Sequence, residues 1–184
     1  MPLIEQWSKE FRAMPGGSGP AWLGKLKEQA AEQFTAAGMP NRKTEAWKYT
    51  PLRMLEQLAP HFLEAADAES GTGHFPDPVC PASAGTVDIC DGRLSGSLPE
   101  TAAGLSLLPL AEGMVVFGDA LRQVLESTDV ASPGNTFTAL NTAFLEQGLV
   151  VHVGENVKAG SLLIRWAFSG SDRGRMGNFR LVVL

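Results

Sequence analysis

The sequence predicts an α+β chain, and three observations point there. Apolar side chains recur at helical spacing through about the first sixty residues. The spacing changes to two from residue 149 onward, and the stretch between holds short runs of both kinds broken by Gly, Pro and Asp. At 184 residues the chain can bury a sizeable core in one domain, or in a domain with an appended subdomain. Hydrophobic residues at 44% and charged residues at 19% fit poorly with wholesale disorder, a collagen repeat or a coiled coil.

The helices come first. Leu3, Ile4, Trp7 and Phe11 lie on one face of a short helix that stops at Pro15-Gly16-Gly17-Ser18-Gly19. Pro20 suits a first helical position, and Trp22, Leu23, Leu26, Ala30 and Phe34 form the next stripe, ended by Gly38 and Pro40. Thr50 and Pro51 read as the N-cap and first position of a third helix through Leu52, Met54, Leu55 and Leu58, limited by Pro60.

The middle is mixed. Residues 68–85 read as a long loop. Val87-Asp88-Ile89 and Arg93-Leu94 flank Asp91-Gly92, a dipeptide that favours a tight turn, so a hairpin is expected. Residues 105–110 suit a short strand, and residues 119–127 a short amphipathic helix through Leu121, Val124 and Leu125. Asn135 or Thr136 is expected to cap a helix carrying Phe137, Leu140, Phe144 and Leu145, with Gly148 ending it.

Three alternating runs close the chain: Leu149–Val153, Leu162–Phe168 and Phe179–Leu184. Both faces of these strands are largely apolar, as in a sheet covered on two sides or stacked in a solenoid. More strands should follow, so the chain reads as the front portion of a longer protein.

The net charge of −5 argues against a general nucleic-acid or anionic-membrane binder. The acidity sits in residues 61–157, with 2 Lys and Arg against 13 Asp and Glu; residues 1–60 hold 8 against 6, and residues 158–184 hold 5 against 1. No stretch approaches the roughly 20 apolar residues of a membrane span, and the N-terminus does not read as a secretory signal. Two cysteines without a metal-ligand spacing suit a reducing compartment, and a cytoplasmic location is expected.

The search for chemistry yields weak candidates. His61 and His74 read as exposed, and His152, among valines, as a structural histidine. Cys80 and Cys90 read as structural, with a redox or nucleophilic pair as the alternative. Gly16-Gly17-Ser18-Gly19 precedes a helix but lacks the GK[ST] ending of a phosphate loop, so a linker is favoured. Asp88 and Asp91 flank a turn, where Asp is ordinary.

The densest unusual segment is residues 39–52, MPNRKTEAWKYTPL. Arg42, Lys43 and Lys48 interleave with Trp47 and Tyr49, the only tyrosine. The preferred reading is a polar turn, capped by Thr44 with Glu45 behind it, whose two aromatics anchor it to the body. An acidic protein partner comes second, and stacked nucleobases third.

That segment carries a resemblance. Residues 38–52, GMPNRKTEAWKYTPL, closely resemble a signature near the N-terminus of the SufB/SufD family of iron–sulfur cluster assembly subunits, on its SufD side. The matching positions are Pro40, Arg42, Lys43, Glu45, Trp47, Lys48, Tyr49, Thr50 and Pro51, while Asn41 stands where Thr or Ser is more usual. Residues 87–94, VDICDGRL, and the stretch from Phe137 to Trp166 are similar to the family's hairpin and to its helix leading into a β-helix. The resemblance spans nearly the whole chain but only the N-terminal portion of the family's length.

The resemblance implies a helical subdomain (residues 1–65), a mixed linker, hairpin and helix region (66–148), and the first coils of a right-handed parallel β-helix (149–184). It implies a non-catalytic scaffold subunit of the SUF complex, paired with SufB and with the ATPase SufC. The helical region would cap the first coil, with Trp47 and Tyr49 as anchors and Arg42, Lys43 and Lys48 as an exposed edge. No catalytic, cofactor or metal-ligating residue is carried over; the cluster would be handled by the full complex. Self-association through uncovered strands is expected as a further partner, nucleic acid and membrane are not, and a stand-alone cysteine enzyme using Cys80 or Cys90 is the alternative.

Overall fold

The computed structural model describes residues 2–14, 19–62, 74–75, 83–132, 134–169 and 174–184. In chain order its elements are α1 (Leu3–Ala13), α2 (Ala21–Ala37), a 3-10 turn (Glu45–Trp47), α3 (Arg53–Leu58), β1 (His61–Phe62), β2 (Gly85–Cys90), β3 (Arg93–Ser95), β4 (Leu105–Pro109), α4 (Leu110–Val116), α5 (Gly118–Glu126), α6 (Thr136–Ala143), β5 (Gln147–Val153), β6 (Leu162–Ala167), β7 (Arg175–Met176) and β8 (Phe179–Val183). The described residues thus form a mixed α+β structure of six α-helices and small mixed sheets. Cys80, the 15–18 linker and most of the expected 68–85 loop lie outside the described residues.

The chain divides into two compact units that are not consecutive in sequence. One takes Met1–Phe62 and Arg122–Leu145, the other Leu63–Leu121 and Glu146–Leu184. By contact, residues 122–145 group with the N-terminal helices, because α2 lies along α6; sequence alone groups them with the mixed middle.

In the first unit, most of the expected stripe residues are buried, Leu3 and Trp7 on α1 and Leu23, Leu26, Ala30 and Phe34 on α2, while Ile4, Phe11 and Trp22 are half-buried. Gly38 ends α2 at φ +72°, a conformation that costs a residue with a Cβ. Trp7 is the centre. Its ring lies 5.9 Å from Phe34 and 5.7 Å from Phe62, and Phe62 stacks on Phe144 at 3.5 Å. Its indole N–H donates to the Pro60 carbonyl at 2.7 Å, so the tryptophan is buried with its one donor satisfied. Gln6 donates to the carbonyls of Ala59 and Pro60, and Glu10 accepts the Phe62 N–H at 3.1 Å. Helix α1 therefore clamps residues 59–62 through side chains on one face.

Two expected helix boundaries move. The third helix begins at Arg53, not behind a Thr50 cap: the first helical bond runs from the Glu56 N–H to the Leu52 carbonyl at 3.1 Å, and the Thr50 N–H closes the preceding turn on the Trp47 carbonyl at 3.0 Å. Helix α6 ends at Ala143, and Gly148 lies inside β5. A Cβ at Gly148 would stand 2.5 Å from the Arg180 carbonyl oxygen and 3.2 Å from the Leu110 Cβ. The glycine is there for close approach between β5 and its neighbours, not for a cap.

The second unit holds two three-stranded sheets, ordered β3-β2-β6 and β4-β5-β8. The expected hairpin forms: β2 and β3 pair antiparallel, with Cys90 opposite Arg93, around a two-residue turn with Asp91 at φ +50° and Gly92 at +79°. Both positive φ values match the twist-compatible turn that Asp-Gly favours. The expected strand at 105–110 is β4, which pairs antiparallel with β5. Helix α4 follows without a break and was not legible, since it buries only Leu110 and Gly113.

The three C-terminal strands form as expected, and their pairings are parallel. β6 runs beside β2 with Ile89 opposite Trp166, and β8 runs beside β5 with Leu149 opposite Leu181 and Val151 opposite Val183. Side chains opposite one another in a parallel ladder share a face. Val87, Leu105, Leu107, Leu149 and Val151 form a buried core on that face. The row continues on the edge strands but loses its cover: Trp166 is 46%, Leu181 44% and Val183 61% exposed.

Close approach makes a sharp prediction. Gly148→Ala should destabilise the protein by about 2 kcal/mol or more, since its neighbours are backbone and a packed leucine. Gly24→Ala, exposed in the first turn of α2 with nothing near its Cβ, should stabilise by about 0.5 kcal/mol. Denaturant unfolding midpoints of the two variants check both signs.

Candidate functional site

The segment singled out in the sequence is a rigid turn. Pro40 is buried. The Asn41 carboxamide oxygen accepts the Lys43 N–H at 2.9 Å, and the Asn41 carbonyl accepts the Thr44 N–H at 2.9 Å. The Thr44 carbonyl accepts the Trp47 N–H at 2.8 Å and opens the 3-10 turn; the Thr44 side chain makes no capping bond. These local bonds shape residues 41–47 without help from a sheet or a long helix.

Trp47 ties the turn down. Its indole N–H donates to the Gly134 carbonyl at 2.8 Å, and its ring lies 4.9 Å from Phe137 in the first turn of α6. This is the anchoring expected of it. Tyr49 corrects the other half of that expectation: it is 87% exposed and anchors nothing. The cause is the turn geometry. Tyr49 lies beyond the end of the 3-10 turn, in the following turn that the Thr50 N–H closes on the Trp47 carbonyl, and that turn leaves its side chain in solvent. The Lys48 ammonium lies 5.5 Å from the Tyr49 ring centroid.

Arg42, Lys43, Glu45, Lys48, Thr50 and Pro51 are exposed, as is Arg53 at the start of α3. The structure thus brings the cations and the tyrosine onto the outside of one anchored segment.

The remaining chemistry-bearing residues sit apart from this segment. His61 is exposed and its Nδ1 meets the Glu10 carboxylate, with Gln6 Nε2 at 3.2 Å. His74 is exposed. His152 stacks on Phe117 with ring centroids 4.5 Å apart, in keeping with a structural histidine. Cys90 is buried in β2, and its Sγ lies 3.6 Å from an Asp91 carboxylate oxygen. Among the described residues no group of three or more His, Cys, Asp or Glu side chains is gathered as a metal ligand set. A groove of about 480 Å³ in the helical unit is walled by Trp7, Phe11, Phe34 and Phe144.

One pair escaped the sequence reading. Asp88 and Arg165 are directly opposite in the parallel β2–β6 ladder and form a two-pronged ion pair at 2.6 and 2.7 Å, with the Arg165 guanidinium 5.1 Å from the Phe75 ring centroid. Asp91, the turn residue, accepts the Ser169 N–H at 3.0 Å and the Ser169 hydroxyl. Both aspartates therefore fasten β6 and its exit to the hairpin. The available signal was a single charge in each of two otherwise apolar strands, of opposite sign.

No family model matches this chain, and no curated protein sequence matches it.

Two substitutions separate anchor from surface. Trp47→Ala should cost about 2 kcal/mol, the sum of a lost hydrogen bond and lost aromatic packing, whereas Tyr49→Ala should stay within about 0.5 kcal/mol of the parent. Thermal unfolding of each reads the difference. Asp88→Ala, which strips a mostly buried guanidinium of its carboxylate, should cost about 2 kcal/mol in the same measurement, reduced from the fully buried case by residual solvent.

Proposed function

We propose that this chain is a non-catalytic scaffold subunit of the SUF iron–sulfur cluster assembly complex, of the SufD type, acting with SufB and the ATPase SufC. Its role is to hold neighbours in place while the cluster, a cargo rather than a resident cofactor, is built by the whole complex. The setting proposed with that role is the cytoplasm. Among the described residues no helix is long and apolar enough to cross a membrane.

The observation that carries the reading is the winding of the C-terminal strands. β6 returns parallel to β2, and β8 returns parallel to β5, 32 positions after it in register. A chain that twice returns parallel to its own earlier strands is in keeping with a stacked-strand solenoid, and this supports a β-helix beginning in residues 149–184, although each sheet also carries an antiparallel pair. The uncovered apolar row of Trp166, Leu181 and Val183 fits a coil on which another is stacked. The second support is the resemblance of residues 38–52, whose aromatic and cationic positions lie on a built turn rather than in a featureless loop.

Co-expression with SufB and SufC tests the reading. A stable assembly containing all three after affinity capture and size-exclusion chromatography is the expected result. Elution of this chain apart from both partners, under conditions where SufB and SufC remain together, would contradict it.

A further inference from the structure

Helix α3 is six residues long and has no buried side chain. A helix this short is not stable in water by propensity alone, and tertiary packing of one face normally supplies what is missing. Here only Leu55 is half-buried, while Met54 and Leu58, one turn apart on a common face, are 67% and 66% exposed. Tyr49 stands outward just before them. The same short segment carries four exposed cations, Arg42, Lys43, Lys48 and Arg53, against two carboxylates, Glu45 and Glu56, in a chain whose net charge is −5. Among the described residues none of the four forms an ion pair.

We propose that residues 42–58 dock an acidic amphipathic helix of a partner protein, with Tyr49, Met54 and Leu58 taking its apolar side chains and the four cations taking flanking Asp or Glu. The occupant follows from complementarity. The apolar residues form a short i, i+4 stripe, the footprint of a helix face, and the surplus charge on the segment is positive. Tyr and Arg are the residue types that dominate protein interfaces, and the tyrosine is held out by a turn that Trp47 already pins, so little ordering is left to be done on binding. Phosphate binding would use the cations but leave Met54 and Leu58 unexplained. An anionic bilayer would be approached by a chain of net negative charge through six helical residues, too few to lay a useful apolar face into it. This inference rests on the segment alone and not on the SUF reading.

The test uses the full chain and a labelled synthetic peptide of about fifteen residues, helical, with Leu at i, i+4 and i+7 and Glu between. Fluorescence anisotropy should show saturable binding that weakens by about tenfold or more in the Arg42→Glu, Lys43→Glu double variant, in Leu58→Asp, and when the peptide's residues are rearranged to abolish its apolar face. A peptide with Lys in place of Glu should regain affinity for the charge-reversed variant. Circular dichroism establishes that each variant is folded; all substituted positions are exposed. Absence of peptide binding, or binding indifferent to both charge reversal and Leu58→Asp, would overturn the proposal. So would tighter binding to phosphatidylglycerol vesicles or to a single-stranded oligonucleotide, or a concentration-dependent dimer that the same reversals dissolve. These outcomes assign the face to lipid, nucleic acid or a second copy, and each is independent of whether the chain assembles with SufB and SufC.

Discussion

The second unit depends on the parallel return of the chain onto its own strands. A parallel pair cannot be made by a tight turn; it needs a crossover, which the chain between β2 and β6, and between β5 and β8, supplies. Once made, the return fixes the register, because a one-residue slip would turn Ile164, Trp166, Leu181 and Val183 to the opposite face from Val87, Ile89, Leu149 and Val151. The Asp88–Arg165 ion pair locks the same register from the polar side, placing opposite charges at one rung of the β2–β6 ladder. Gly148 permits it sterically in the β5–β8 ladder, where any side chain would meet the Arg180 carbonyl.

The consequence is an asymmetry between rows. Leu149, Val151 and Ile89 are shielded by neighbours on both sides, whereas their partners on β8 and β6 have a neighbour on one side only. Leaving a leucine, a valine and a tryptophan half in water forgoes on the order of 1 kcal/mol each in hydrophobic burial, and the outer backbone edge of each strand has no ladder among the described residues. Both deficits would be removed by pairing with another strand, which is what the proposed scaffold role would supply. This physical argument, rather than any reactive group, is why the scaffold reading is preferred.

Much of the fold was legible in the sequence because local chemistry and tertiary packing agree. The α2 stripe and its Gly38 terminus, the Asp91-Gly92 hairpin and the three alternating runs near the C-terminus each follow from periodicity or from a positive φ at the expected place. What was not legible depended on contacts distant in sequence. Gly148 reads as a helix stop until β8 is placed beside it, and α4 shows almost no stripe because its packing face is one leucine and one glycine. Asp88 reads as an ordinary turn residue until Arg165 is brought opposite it 77 positions away. In the 38–52 segment, composition correctly marked Trp47 as an anchor but could not set the direction of Tyr49. That direction depends on the turn that follows Trp47, a property of the backbone path and not of the residue.

The central claim is that the outer edges of β6 and β8 are surfaces to be paired. Amide hydrogen exchange, followed residue by residue in this chain alone and again in the presence of SufB and SufC, tests it most directly. The account predicts that outward-facing amides of residues 162–167 and 179–183 exchange freely in the isolated chain and slow by about a hundredfold or more in the assembly, with those facing β2 and β5 protected in both. Equal exchange of the outer amides with and without the partners would contradict it.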